Sequence, residues 1–194
     1  MTTTGSLPAW SSAGVLPPVR PGMSRSSPER SPYQIDLISL VDRFATSPDR
    51  MQILEGFLKF REELHTLGIN SGFQWLDGSF LENIETLENR PPGDIDVVTF
   101  LYLPAGEDQR SMAQKSPRLF DQSYLKSTFA VDGYFSVLGQ PLNAGQVKYI
   151  SYWYSMWSHR RNGLWKGFVQ VDLDASQDAD ARAILNLSGG AHHE

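Results

Sequence analysis

The chain has 194 residues, of which 40% are hydrophobic, and it carries a formal net charge of -5 at pH 7. This length predicts one domain with a sizeable core, and the acidic balance argues against a protein that holds long nucleic acid on a broad basic surface. The chain contains no cysteine, which excludes disulfides and thiolate chemistry, and no apolar run of the roughly 20 residues that span a membrane, so we expect a soluble cytoplasmic protein.

The first part of the chain is predicted to be a leader followed by two helices. Residues 1–32 are dominated by Ser, Thr, Pro and Gly without apolar periodicity, which predicts a disordered leader. Apolar residues recur at helical spacing over residues 33–44, which predicts the first helix. Ser47 is suited to cap a second helix that begins at Pro48 and ends before Gly68. Both helices are expected to serve as scaffold.

The rest of the chain alternates between predicted strands and predicted helices. The strands are expected at residues 73–76, 94–103, 129–137 and 165–173. A Ser-Pro pair opens a predicted helix over residues 116–127, and aromatic residues at helical spacing predict another over 146–160. Residues 104–115 are expected to form a polar loop. These elements predict a domain over residues 33–174, followed by a polar tail over 175–194.

The pattern that carries most chemistry lies where two of the predicted strands meet polar turns. The first of these strands ends in Gly78-Ser79, and the second begins with Asp94-Ile95-Asp96. Because side chains alternate along a strand, Asp94 and Asp96 are expected on the same face with Cα atoms about 6.5 Å apart. Carboxylates held in this way are suited to bind divalent cations.

The order Gly78-Ser79, Asp94-x-Asp96 and a further acid on a later strand resembles the signature of the nucleotidyltransferase superfamily typified by DNA polymerase beta. The flanking QWLDGSF and PGDIDVV sequences, with VDGYF and KGFVQVDL farther on, are similar to those of a family of uncharacterised bacterial nucleotidyltransferase-like proteins. The resemblance covers about residues 37–173. It implies an α+β polymerase beta-like fold, with a mixed sheet of about four to five strands, helices packed on one side and two N-terminal helices.

The resemblance also implies a metal site made of three carboxylates. In that superfamily, two Mg²⁺ or Mn²⁺ ions about 3.5 to 4 Å apart clamp the attacking and leaving oxygens at the α-phosphorus of a nucleoside triphosphate. Asp94 and Asp96 would hold the metals, and a third acid would complete the site. Asp132 lies in the strand where the family pattern places this acid, and Asp172 in the last strand is the alternative.

The same resemblance implies the phosphate-binding residues. Gly78 and Ser79 would hold the nucleotide phosphates through the backbone N–H groups and the hydroxyl of their turn. Arg90, Lys148 or Lys166 would neutralise the triphosphate, and Lys166 is included in the predicted site.

The implied activity is transfer of a nucleoside monophosphate from a nucleoside triphosphate to a hydroxyl acceptor. The acceptor is a protein side chain, a small molecule or an RNA end, and the small acidic chain resembles minimal nucleotidyltransferases that act as antitoxins by adenylylating a partner toxin. The alternative is a catalytically inactive nucleotide-binding or protein-interaction module on the same fold, in a defence or toxin-antitoxin assembly. A protein whose acids only bind calcium is disfavoured, because the sequence has no calcium loop with closely spaced oxygen ligands. The sequence leaves the base preference and the oligomeric state open.

Overall fold

The computed structural model of the protein describes residues 6–191. Within these residues one mixed sheet contains five strands, which are β1 (Tyr33–Gln34), β2 (Gly72–Asp77), β3 (Ile95–Leu101), β4 (Val131–Val137) and β5 (Val169–Asp172). Their order across the sheet is β1-β5-β2-β3-β4. The pairs β1 with β5 and β3 with β4 are parallel, whereas β2 is antiparallel to both of its neighbours. The expectation of an α+β fold with a mixed sheet of four to five strands is confirmed.

Seven α-helices accompany the sheet within the same residues. They are α1 (Leu37–Phe44), α2 (Pro48–Thr66), α3 (Ile84–Glu88), α4 (Gln109–Lys115), α5 (Gln122–Phe129), α6 (Ala144–Trp157) and α7 (Asp178–Ala191). The predicted cap of α2 is confirmed, since the Ser47 side chain accepts a hydrogen bond from the backbone N–H of Arg50. The loop predicted over 104–115 is wrong in its second half, because Asp108 and Ser111 form a capping box that starts α4. No helix in this part of the chain is both long and apolar enough to cross a membrane.

Helices cover both faces of the sheet, so the prediction of helices on one side is wrong. Phe60 of α2 packs against Phe135 of β4, with ring centroids 6.2 Å apart. Trp153 of α6 packs against Tyr134, the preceding residue of β4, at a centroid distance of 4.3 Å. Successive residues of a strand point to opposite faces, so α2 and α6 lie on opposite sides. The buried Trp153 and Trp157 of α6 require apolar partners, and this second face supplies them.

The predicted disordered leader packs on the domain over residues 6–32, so that prediction is wrong for this segment, whereas residues 1–5 lie outside the described chain. Leu16 is buried, and its carbonyl accepts a hydrogen bond from Gly167 N at 2.7 Å. The segment forms no helix or regular strand, and it is held by hydrogen bonds from distant parts of the chain instead. Apolar periodicity predicts helices and strands, so it cannot predict a segment that is ordered without regular secondary structure.

Two further boundaries differ from the sequence-based expectations. The helix predicted over residues 33–44 begins only at Leu37, because Tyr33 N and Ile35 N donate to the backbone carbonyls of Phe168 and Gln170 at the edge of the sheet. The polar tail predicted over residues 175–194 contains α7, in which Ala181 and Leu185 are buried. Residues 192–194 lie outside the described part of the chain.

Candidate functional site

Three aspartates occupy neighbouring register positions on three adjacent strands. Asp77 of β2 pairs with Asp96 of β3, and Asp96 in turn pairs with Asp132 of β4. Residues that pair directly across strands point to the same face of a sheet, with Cβ atoms about 4.5 to 5.5 Å apart in antiparallel pairs. The pairing therefore collects three carboxylates in one row at one end of the sheet.

A cleft of about 750 Å³ opens over this row. This volume lies in the range of pockets that bind small molecules and cofactors. The cleft is lined by all six residues of the predicted site, which are Gly78, Ser79, Asp94, Asp96, Asp132 and Lys166. The lining also includes aromatic and basic side chains, which are Trp153, Trp157, His159, Arg160 and Arg161. The acids of this lining are suited to cations, and its basic and aromatic side chains to the phosphates or the base of a nucleotide.

Asp172, the alternative third carboxylate, does not line this cleft. It pairs with Phe73 near the start of β2, whereas Asp77 is the last residue of that strand. Four strand residues correspond to about 13 Å. Asp172 instead lines a small separate pocket beside Arg61. Of the two candidates, Asp132 alone lies with the other predicted acids.

The electrostatics of the row are those of carboxylates forced together without enough positive charge. Burial raises the pKa of Asp96 to about 7, and the negative charges of Asp77, Asp94 and Asp132 contribute to the shift. Burial also raises the pKa of Asp77 to about 6, although Lys166 opposes that shift. Strongly shifted carboxyl groups that share a cleft are typical of catalytic and cation-binding sites.

The turn that comes after β2 is held from beneath by a buried arginine. Arg50 donates hydrogen bonds to the carbonyls of Phe80 and Glu82, both at 2.6 Å. On the leader side, Trp10 Nε1 donates to the carbonyl of Leu81 at 2.7 Å. These contacts engage three carbonyls just after Gly78 and Ser79, so the turn is fixed beside the acids.

Gly78 approaches the acid row so closely that no other residue fits. Its φ of +88° lies in the left-handed region, and a Cβ atom there would collide with Oδ2 of Asp96. The missing side chain thus lets the turn lie directly against the central carboxylate of the row.

We expect Gly78→Ala to reduce the free energy of unfolding by roughly 2 to 3 kcal/mol, because strain in the left-handed backbone adds to the collision with Asp96. Urea denaturation measures this loss. Gly106→Ala is the matched control, since Gly106 has a φ of +81° and no atom within 4 Å of its added Cβ. It should cost about 1 kcal/mol from backbone strain alone. Equal losses in the two variants would show that Gly78 does not need to approach Asp96.

Lys166 lies in the cleft, but its ammonium is already engaged. Its Nζ donates to Oδ1 of Asp77 at 2.8 Å and to Oε1 of Glu82 at 3.2 Å, and the residue is 5% exposed. Burial alone would lower the pKa of Lys166, but the two carboxylates outweigh burial and raise it. The predicted contact of Lys166 with phosphate stays a prediction, and it would require both of these hydrogen bonds to break.

Other basic residues of the cleft are paired as well. Arg160 bridges Glu82 at 3.1 Å and Glu88 at 2.6 Å, and Arg90 also binds Glu88, at 2.8 Å. Lys126 of α5 lies with its Nζ 2.6 Å from Oδ2 of Asp94. Lys148, proposed from the sequence as a triphosphate cation, is not among the lining residues.

Sequence reasoning missed Asp77 and Lys126. Asp77 directly precedes Gly78-Ser79 in the sequence. Side chains alternate along β2, so the sequence could have predicted that Asp77 shares a face of the sheet with Phe73 and Trp75. Its pairing with Asp96 depends on the register between strands, which the sequence does not report. Lys126 belongs to a helix whose packing against β4 brings it to the site.

The side chains of the acid row determine whether the cleft suits a divalent cation. Carboxylate oxygens are the ligands that Mg²⁺ and Mn²⁺ prefer, and the row offers several around the half-buried Asp96. Within residues 6–191, no group of three or more His, Cys, Asp or Glu side chains is arranged to hold a metal ion by itself. In nucleotide sites, Mg²⁺ is usually bound by one or two carboxylates together with water and substrate phosphates. The residues present fit a cation of this kind.

Comparison with known protein families shows which family the chain resembles. A model described as a family of unknown function, DUF6932, matches residues 8–172. No curated protein and no solved structure shows significant similarity to the chain. The matched range includes the leader segment that packs beside the site as well as the acid row.

Proposed function

We propose that this chain, which belongs to the DUF6932 family of unknown function, is a metal-dependent nucleotidyltransferase of the cytoplasm. It would move a nucleoside monophosphate from a nucleoside triphosphate to a hydroxyl acceptor on a polymerase beta-like fold. The observation that carries the proposal is the register that places Asp96 between Asp77 and Asp132, with Asp94 in the same cleft. The Gly78-Ser79 turn lies against Asp96, and it would hold the phosphates of the substrate.

The chain's own residues divide the work of the reaction. Asp94, Asp96 and Asp132 would hold Mg²⁺ or Mn²⁺, which supplies Lewis-acid stabilisation of the charge that develops on the phosphoryl oxygens. Gly78 and Ser79 would orient the triphosphate. The acceptor oxygen would form its bond to the α-phosphorus as the bond to the bridging oxygen breaks, and pyrophosphate would leave. Asp132 would accept the proton of the acceptor hydroxyl.

The surroundings of the half-buried Asp96 support a cation site over a purely structural role. A carboxylate that is partly removed from water normally makes ion pairs or hydrogen bonds that compensate for its lost hydration. Burial and the negative charges of Asp77, Asp94 and Asp132 instead raise the pKa of Asp96, and Lys166 opposes this shift only in part. A divalent cation would remove this unfavourable interaction, since it adds positive charge where several negative charges meet.

Transfer of label from an α-labelled nucleoside triphosphate tests the proposal. Wild-type protein with Mg²⁺ or Mn²⁺ and cell extract as the source of acceptors should yield a labelled product, with each of the four bases tried. Asp94→Asn and Asp132→Asn should each reduce labelling by about a hundredfold or more, because each removes a charged group that stabilises the transition state.

Asp172→Asn is the matched control, since Asp172 lies on the same sheet outside the cleft, and it should label at the wild-type rate. Unchanged labelling in the Asp94 and Asp132 variants would contradict the proposal. Calorimetry with nucleotides distinguishes the enzyme from the alternative function. Binding of a nucleotide without transfer would favour a nucleotide-binding module. Absence of both binding and transfer would favour a protein-interaction module.

A further inference from the structure

Lys126 makes a solvent-exposed, replaceable ion pair in the cleft. Its Nζ lies 2.6 Å from Oδ2 of Asp94, while its side chain is 61% exposed and that of Asp94 is 21% exposed. An ion pair with this exposure contributes little to stability, because water competes for both charges. The Lys126 ammonium can therefore leave Asp94 with little cost to the fold.

Two other paired cations of the cleft, Lys166 and Arg160, do not have this freedom. Lys166 is buried between Asp77 and Glu82, and breaking a buried pair leaves charges without compensation. Arg160 is held by two glutamates, one of which is the buried Glu82. Lys126 differs from them because its partner is Asp94. The proposed function assigns a metal ion to Asp94, but none to Asp77, Glu82 or Glu88.

We propose that Lys126 is an exchangeable cation of the site, which neutralises Asp94 in the metal-free protein and binds the triphosphate of the nucleotide once Asp94 binds a divalent cation. This inference rests on the proposed function. It assigns the phosphate-binding role to an exposed lysine of α5 in place of the buried Lys166.

Charge and reach support the exchange. A divalent cation binds a carboxylate more strongly than an ammonium does, so metal binding at Asp94 would displace Lys126. The long flexible stem of lysine lets the released ammonium move within the cleft that Lys126 already lines. A triphosphate brings several negative charges into the same cleft, and an ammonium is a well-suited point charge for them.

Two binding measurements test the exchange. In the first, Mn²⁺ alone is titrated and followed by electron paramagnetic resonance. Lys126→Met should bind Mn²⁺ about three- to tenfold more tightly than wild type, because a competing and repelling positive charge is gone. In the second, inorganic tripolyphosphate with Mg²⁺ is titrated by calorimetry, which avoids the question of the base. Lys126→Met should bind it about tenfold more weakly, and Lys126→Arg should retain most of the affinity.

Lys59→Met is the matched control, since Lys59 forms an exposed ion pair with Glu55 at 2.7 Å on the outer face of α2. It should bind both probes as wild type does. Lys126→Gln serves as a second variant if the methionine variant does not fold.

The outcomes separate this inference from the proposed function. Weaker or unchanged Mn²⁺ binding in Lys126→Met, or unchanged tripolyphosphate binding, overturns the exchange. If Asp94→Asn loses Mn²⁺ binding while Lys126→Met matches wild type, the inference alone fails. If wild-type protein binds neither probe, the proposed function and the inference fail together.

Discussion

Asparagine in place of Asp96 is expected to abolish nucleotidyl transfer and, at the same time, to stabilise the metal-free protein above neutral pH. The carboxylate lies at the centre of the row, between Asp77 and Asp132. Its loss should reduce transfer by about a thousandfold or more, because it removes the central carboxylate of the proposed metal site. Label transfer from an α-labelled triphosphate measures this effect.

The stability effect has the opposite sign because the pKa of Asp96 is raised, to about 7, from an ordinary value of 3.8. Between these two pH values the folded state holds a proton that the unfolded state has lost, so the contribution of Asp96 to stability decreases as pH rises. Above about pH 7 the whole penalty is present, and asparagine, which does not ionise, avoids it. We expect the variant to be more stable than wild type by about 2 kcal/mol at pH 8 and equally stable near pH 4. The value at pH 8 is smaller than the full pKa shift implies, because water screens the charges of the half-buried cluster.

Denaturation at several pH values, with and without Mg²⁺, checks the second half of this prediction. Saturating Mg²⁺ should stabilise the wild type and close the gap, because the cation binds the folded state. Asp42→Asn is the control, since Asp42 is an exposed residue of α1, and it should leave both stability and transfer unchanged. A variant that is less stable than wild type at pH 8 would assign Asp96 a structural role.

Local chemistry made part of this architecture predictable. The Ser47-Pro48 pair starts α2 as expected, because both residue types suit the first turn of a helix. Gly78-Ser79 and Asp96 could be placed at strand ends, because apolar runs adjoin them in the sequence. Features that depend only on a short stretch of chain were therefore accessible without a structure.

Interactions between distant segments were not accessible in the same way. The pairing of Asp77 with Asp96 is a matter of register, and a shift of one residue would turn one of them to the other face. The leader is ordered through single hydrogen bonds such as that from Trp10 to Leu81, which have no periodic signature. The exposed Lys126 carries no local signal that its helix packs beside Asp94.

Methionine in place of Lys166 is expected to cost about 3 to 5 kcal/mol of unfolding free energy, since it leaves buried carboxylates without their counter-charge. Glu82 would keep the guanidinium of Arg160, 3.1 Å away, but Asp77 would lose its ion-pair partner. The pKa of Asp77, already raised to about 6 by burial, would rise further without the opposing lysine. The variant should therefore lose stability more steeply than wild type as pH increases from about 4.

A double-mutant cycle tests whether Lys166 stabilises the fold through its ion pair with Asp77 or instead binds the substrate. Asp77→Asn combined with Lys166→Met should recover part of the loss, because the uncompensated charge is removed, with a coupling of about 1 to 3 kcal/mol. Purely additive losses in urea denaturation would contradict the ion pair as the source of the effect. If Lys166 instead serves the phosphates, as the sequence alone suggests, Lys166→Met would remain stable and lose affinity for Mg²⁺-tripolyphosphate. Because its ammonium is buried between two acids, whereas that of Lys126 is exposed beside one, stability should respond to Lys166 and phosphate binding to Lys126.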